Sequence, residues 1–244
     1  MNLPPLGRLT LLVALCAIAP ASAAAQNAKA TVPKFCAGCN YAAAKLVGSD
    51  FTGGKYIGVN FEGADVSGAS FRDARILAAN FENADLRNAA FDGAQCTACN
   101  FIGAKLDGAT FTGAQMMAAN FKDFAASVTD EQLRQLLSGC VSCNFSGGRL
   151  AARDLTGIPL LSVDFSGADL QGTRFDGAIL CWDMMNETQR QPACDKMGGA
   201  QTSAASFAGV LICENPMDRS TCSPVDAAML RANTGSPLSG AALP

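Results

Sequence analysis

The sequence predicts an all-β fold, a four-sided parallel β-helix, and three observations predict it. Eight phenylalanines stand ten residues apart: Phe51, Phe61, Phe71, Phe81, Phe91, Phe101, Phe111 and Phe121. Midway between them lie Tyr56, Val66, Ile76, Leu86, Cys96, Leu106 and Met116, so a bulky apolar residue recurs every five positions and the deeper period is twenty. Each bulky residue is framed in the same way. A small residue tends to stand two positions before it, as at Ala64, Ala84, Ala104 and Ala114, and glycine often stands two positions after it, as at Gly58, Gly63, Gly68 and Gly93. No helix or flat strand has such a period. A chain that turns a corner every five residues has it, because four sides close a square coil of twenty, and a fixed repeat decides architecture ahead of local propensity. The bulky residue points into a narrow shaft beside a small one, and glycine suits a corner that needs positive φ.

The elements follow in chain order. Residues 1–25 read as a secretory signal: Arg8 opens it, Leu9–Ala19 is apolar, and small residues such as Ala21-Ser22-Ala23 offer a cleavage site. The apolar run is too short to span a membrane. A lead-in covers 26–35 and the coil runs over 36–126. Its first side carries Cys36, Tyr56, Ile76, Cys96 and Met116 inward, and its second Tyr41, Phe61, Phe81, Phe101 and Phe121. The third carries Leu46, Val66, Leu86 and Leu106, and the fourth Phe51, Phe71, Phe91 and Phe111. Rungs about 4.8 Å apart should pile the aromatics of the second and fourth sides face on face.

After Phe121 the register slips by four residues, and a helical signal accompanies the slip within 127–139. Thr129 can cap, Gln132 completes a capping box, Leu133, Leu136 and Leu137 share a face, and Gly139 stops the helix. Subtracting four restores the coil over 140–182, with Cys140, Phe145, Leu150 and Leu155 on successive sides. Residues 183–244 read as a cysteine-containing cap. Ala205-Ser206-Phe207 and Val210-Leu211-Ile212 briefly restore the five-spacing, and Leu238 and Leu243 do so weakly. An uncapped end would leave a rung of backbone unpaired and invite an end-to-end homodimer.

Stretches such as Ala-Asp-Leu-Arg-Asn (84–88) resemble the pentapeptide-repeat family, over roughly 36–126 and 140–182. The resemblance implies a right-handed quadrilateral β-helix, here of about seven coils.

Composition narrows the function. The chain has no histidine, which removes Ser-His-Asp and Cys-His catalysis, histidine metal sites and the usual near-neutral proton shuttle. Without residues 1–25 it holds 17 basic and 21 acidic residues, net −4, a poor magnet for nucleic acid. The expectation is a non-enzyme with no cofactor, no metal and no membrane span once the signal is gone. It would be periplasmic or secreted, with an envelope protein as partner or none.

Two features invite a functional reading. Asn40, Asn60, Asn80, Asn100, Asn120 and Asn144 precede the second-side aromatics and should form a ladder on one outer face. Its amides either stack and stiffen that wall or present a recognition strip. Cys-x-x-Cys-Asn-aromatic occurs three times, at Cys36/Cys39, Cys96/Cys99 and Cys140/Cys143. Register puts both cysteines of each motif in inward slots, and the motifs lie roughly 10–14 Å apart, which argues against a shared zinc site. They read as core residues, with or without a disulfide across the corner, against a thiol-redox or metal role. Cys181, Cys194, Cys213 and Cys222 lie in irregular sequence. Their order suggests Cys181–Cys194 and Cys213–Cys222 among three pairings. The acids Asp50, Asp65, Asp85, Asp154, Asp164 and Asp169 occupy outward repeat positions and read as solvated.

An exported scaffold or interaction module leads this reading. The alternatives are an envelope redox or metal protein and inhibition of a DNA-binding enzyme by DNA mimicry, as some pentapeptide-repeat proteins act on gyrase. Mimicry needs a dense acidic stripe and a cytosolic address.

Overall fold

A computed structural model describes residues 32–125, 127–181, 205–207, 209–213 and 222–224. The signal at 1–25, most of the lead-in, Cys194, Leu238 and Leu243 lie outside them.

The chain coils as its period requires. The strands β1 (Phe35–Ala37), β2 (Lys55–Ile57), β3 (Arg75–Leu77), β4 (Gln95–Thr97) and β5 (Gln115–Met117) all lie on the first side. Each pairs in parallel with the next in a twenty-residue register, Cys36 against Tyr56, Ile76, Cys96 and Met116 in turn. The other sides are built from single parallel bridges. The second runs Asn40, Asn60, Asn80, Asn100, Asn120; the third Lys45, Asp65, Asp85, Lys105; the fourth Asp50, Ser70, Ala90, Thr110. Main-chain bonds run between rungs on every side, as when Asn60 N donates to Cys39 O at 2.9 Å and Phe61 N to Asn80 O at 2.7 Å. First-side positions from Cys36 to Leu180 mark seven coils.

Each corner is left-handed. Gly58 (φ 59°) and Gly63 (φ 61°) satisfy it without strain, but Ala78, Ala98 and Ala118 adopt φ 51–54° at the equivalent corner of later coils. The small slot beside each bulky residue is equally demanding: a Cβ on Gly54 would overlap the ring of Tyr56.

The core is two parallel aromatic columns whose ring planes stand at right angles to each other. On the second side Phe61, Phe81, Phe101 and Phe121 stack at 4.8–5.0 Å with interplanar angles of 1–7°. On the fourth, Phe51, Phe71 and Phe91 stack at 4.5–4.8 Å. Between columns the rings meet edge to face, Phe71 on Phe81 at 5.6 Å and 89°. Within a column the rings lie face on face as expected; the two columns line opposite sides of the shaft and meet edge to face across it.

The four extra residues are absorbed by α1 (Asp130–Ser138), capped by Thr129 with Gln132 completing the capping box. Its buried Leu133, Leu136 and Leu137 join the coil's core. The helix stands in for the fourth side of one coil, and its side chains replace ladder bonds that a strand would have made. Gln132 Nε2 donates to Ala109 O below at 2.9 Å, and Arg134 Nη1 to Thr156 O above at 2.7 Å. Gly139 ends the helix at φ −96°, so no left-handed turn requires it. What requires glycine is space: a Cβ there would overlap the Ala114 carbonyl oxygen.

The register then resumes. In β6 (Cys140–Val141) Cys140 pairs with Met116, and Asn144 bridges Asn120. A single parallel bridge from Val141 to Leu161 leads to a second sheet of β7 (Pro159–Leu160), β8 (Ile179–Cys181) and β9 (Leu211–Cys213), in which β8 pairs in parallel with both β7 and β9. Phe207 stacks on Phe175 at 5.0 Å, so one more rung forms after the long connection. Finally β10 (Cys222–Pro224) pairs antiparallel with β9 and covers that edge.

Candidate functional site

The asparagines align as the period predicts, Asn40 exposed and the other five half-buried. Their carboxamide oxygens turn back onto the chain. Asn60 Oδ1 accepts from Glu62 N at 3.0 Å, Asn80 from Glu82 N at 3.1 Å and Asn144 from Ser146 N at 2.8 Å, and the same bond forms at Asn40, Asn100 and Asn120. Each therefore closes an Asx turn at its own corner. Along the axis Asn100 Nδ2 donates to Asn80 Oδ1 at 3.1 Å and Asn80 Nδ2 to Asn60 Oδ1 at 3.4 Å.

The acids do the same work and are more than solvated surface. Asp50, Asp65, Asp85, Asp154, Asp164 and Asp169 each accept from the backbone N–H two residues on. Hydrogen bonds from the Thr52 hydroxyl and N–H, with Lys34 nearby, hold Asp50 down at about 2. The guanidinium of Arg87 lowers Asp85, and Thr156 lowers Asp154. A carboxylate held ionised in a turn is a poor proton donor near neutral pH. Among the described residues no side carries an unbroken acidic column, since Lys45 and Lys105 flank Asp65 and Asp85, and Arg174 follows Asp154.

The cysteines of each motif face one another across a corner, with Cα–Cα distances of 5.9 Å for Cys36/Cys39, 6.0 Å for Cys96/Cys99 and 5.6 Å for Cys140/Cys143. Those separations lie in the range a disulfide spans. Five of the six are buried; Cys39, expected inside, is only half-buried, because it sits on the first rung. In the tail the backbone register sets Cys213 between Cys181 and Cys222. No cluster of three or more metal-ligating side chains occurs among the described residues, and no helix among them is long and apolar enough to cross a membrane.

One feature escaped the reading of the sequence. The outward residue after each first-side bulky residue is Ile57, Leu77, Thr97, Met117, Val141 and Leu161 in successive rungs, in unbroken register. Ile57, Leu77, Met117 and Val141 are 44%, 46%, 53% and 36% exposed. The signal was available at period twenty, because the second-side equivalents are Glu62, Glu82, Ile102 and Lys122. Beside this column stand Lys55, Arg75, Gln95 and Gln115, all exposed. Where α1 rises next to the first side, Met117, Val141 and Leu161 form the floor of an open groove of about 670 Å³, walled by Glu131, Arg134 and Gln135.

Models of pentapeptide repeats match residues 61–105 with nine copies, and 36–73, 94–123 and 143–180 with eight. The chain belongs to the pentapeptide-repeat family. Among solved structures it is similar to a pentapeptide repeat protein from the Arabidopsis thaliana thylakoid lumen, at 33% identity over 45% of this chain and 78% of that one, with a TM-score of 0.34. It is also similar to a trypsin-treated form of QnrB1, a plasmid-mediated fluoroquinolone resistance protein, at 17% identity over 88% and 87% with a TM-score of 0.40. A third is HetL, involved in heterocyst differentiation regulation in the cyanobacterium Nostoc, at 18% identity over 72% and 62% with a TM-score of 0.32. No curated protein matches the chain.

Proposed function

We propose that the protein is a non-enzymatic, exported interaction module that binds through its first side. The apolar column of Ile57, Leu77, Met117 and Val141 carries this reading, because exposed aliphatics held in register on a rigid sheet mark an interaction face. The asparagine wall, by contrast, serves the coil: its amides are engaged in their own turns and in one another. The absence of histidine and the turn-bound acids support a role without catalysis. Export rests on residues 1–25 and on the cysteine pairs, which in this reading are stable disulfides that staple corners of the coil.

Thiol trapping with mass spectrometry on protein from its native cell fraction tests this reading. A mature N-terminus near residue 26 with Cys36, Cys39, Cys96, Cys99, Cys140 and Cys143 unreactive is the expected result. Readily alkylated thiols in those motifs would move the weight to redox or metal chemistry, and an uncleaved chain in the cytosol would restore inhibition of a DNA-binding enzyme. A photocrosslinker at Leu77 should capture a partner where one at Asn80 does not.

A further inference from the structure

We infer that Cys213 and Cys222 are joined by a disulfide, and that this bond clasps β10 over the end of the coil. The inference concerns the end of the coil and does not depend on what the first side binds or on where the protein resides.

Cys222 is disulfide-bonded. β10 pairs antiparallel with β9 in a register that sets Cys222 directly against Cys213. Directly opposed residues of an antiparallel pair have Cα atoms about 4.5 or 5.5 Å apart, and both separations lie within the span of a disulfide. Cys181 is opposite Cys213 on the other neighbour, β8. It therefore stands two strands from Cys222, about 9.6 Å away, beyond the roughly 7 Å that a disulfide bridges. A Cys181–Cys213 bond would leave Cys222 no cysteine within reach among the described residues, since the three Cys-x-x-Cys motifs are each paired within themselves. The bond forms when the two thiols give two electrons and two protons to a disulfide donor, which leaves as two thiols.

The clasp falls where the coil needs one. The paired strands from β1 to β9 are parallel, whereas β10 runs antiparallel. It is held by three residue pairs, one of them Pro224 against Leu211, where proline has no N–H to give. Without β10, β9 would present Leu211–Cys213 as an open edge, a template for another chain. With β10 fixed, the outermost strand is three residues long and ends in a proline, which makes it a poor template. The bond closes a loop of ten residues, 213–222. The loop entropy it removes favours the closed cap by about a hundredfold.

The four tail cysteines fall on four different tryptic peptides: 175–190 holds Cys181, 191–196 holds Cys194, 197–219 holds Cys213 and 220–231 holds Cys222. The purified protein is equilibrated in a glutathione redox buffer, which serves as the disulfide donor, then alkylated, denatured and digested without reduction. Mass spectrometry should find 197–219 linked to 220–231. A link from 220–231 to 175–190 or to 191–196, or an alkylated Cys222, overturns the pairing. Hydrogen exchange reads the clasp. Cys222→Ser should speed exchange of the β10 amides by about a hundredfold and leave the first coils unchanged. Cys213→Ser and the double variant should match it, because all three remove the same bond. Amides of β10 that exchange no faster in these variants, or effects that add in the double variant, overturn the clasp.

Discussion

Replacing Phe81 by alanine tests the logic of the coil at its centre. Phe81 is fully buried. Its ring lies parallel to Phe61 at 4.9 Å and to Phe101 at 5.0 Å, and edge-on to Phe71 at 5.6 Å and Phe91 at 5.9 Å. Truncating a buried phenylalanine costs about 3–5 kcal/mol, and the cost grows as the site fails to collapse. This site cannot collapse readily. Phe81 N donates to Asn100 O and Phe61 N to Asn80 O, both at 2.7 Å, so main-chain ladders hold the rungs above and below at fixed spacing. Four aromatic contacts of about 0.5–1.5 kcal/mol each are lost as well, partly counted in the burial already. The expected loss is thus near the top of the range, about 5 kcal/mol, comparable with the whole stability of many domains. Equilibrium urea denaturation followed by circular dichroism measures it, with Phe81→Leu as the volume-sparing control at about 1–1.5 kcal/mol. If alanine costs less than about 2 kcal/mol, or costs no more than leucine, the stacked column does not hold this coil together.

Other consequences are smaller but distinct. Gly139→Ala would force a methyl onto the Ala114 carbonyl, which Gln115 N–Ala94 O and Met116 N–Gly139 O bonds at 2.8 Å hold in place; a loss of about 1–3 kcal/mol, read by thermal melting, is expected. Ala98→Gly relieves a left-handed corner at φ 54° and should raise stability by about 0.5–1 kcal/mol once chain entropy is deducted. Acid should weaken the fold in a defined window. Asp50, at about 2, and Asp85 and Asp154, also lowered, contribute stability that is complete above the ordinary carboxylate value near 4 and is lost as pH falls toward 2. Melting temperatures flat from pH 7 to 4.5 and falling below 4 check this, and a decline already complete at pH 5 would contradict it. Tyr56 works at the other limit: burial pushes its hydroxyl up to about 12, so the unfolded chain ionises first and stability should fall as pH rises past 10. Changing Asn60, Asn80 and Asn100 together to serine should lower the melting temperature and leave Leu77 crosslinking intact.

The spacing of bulky residues carried the coil, its four sides and its register, including the four-residue slip after Phe121. A shaft one side chain wide tolerates only such residues at every fifth position, and the constraint is therefore written in the sequence itself. The helix was equally legible, because Thr129, Gln132 and the three leucines are local signals. The corner requirement could be read at the glycines but not at Ala78, Ala98 or Ala118, where the rung above and below enforces a conformation alanine disfavours. Gly139 looked like a helix stop, while its true constraint is the carbonyl of Ala114, twenty-five residues earlier in the chain and adjacent only across rungs. The acids looked like surface because their bonds to backbone N–H groups exist only once each corner has turned. The outward wall was hardest to see. Inward positions must satisfy packing and so reveal themselves by period, whereas outward positions are free of the core. Only the stacked sheet, by bringing residues twenty apart into contact, turned Ile57, Leu77, Met117 and Val141 into one surface.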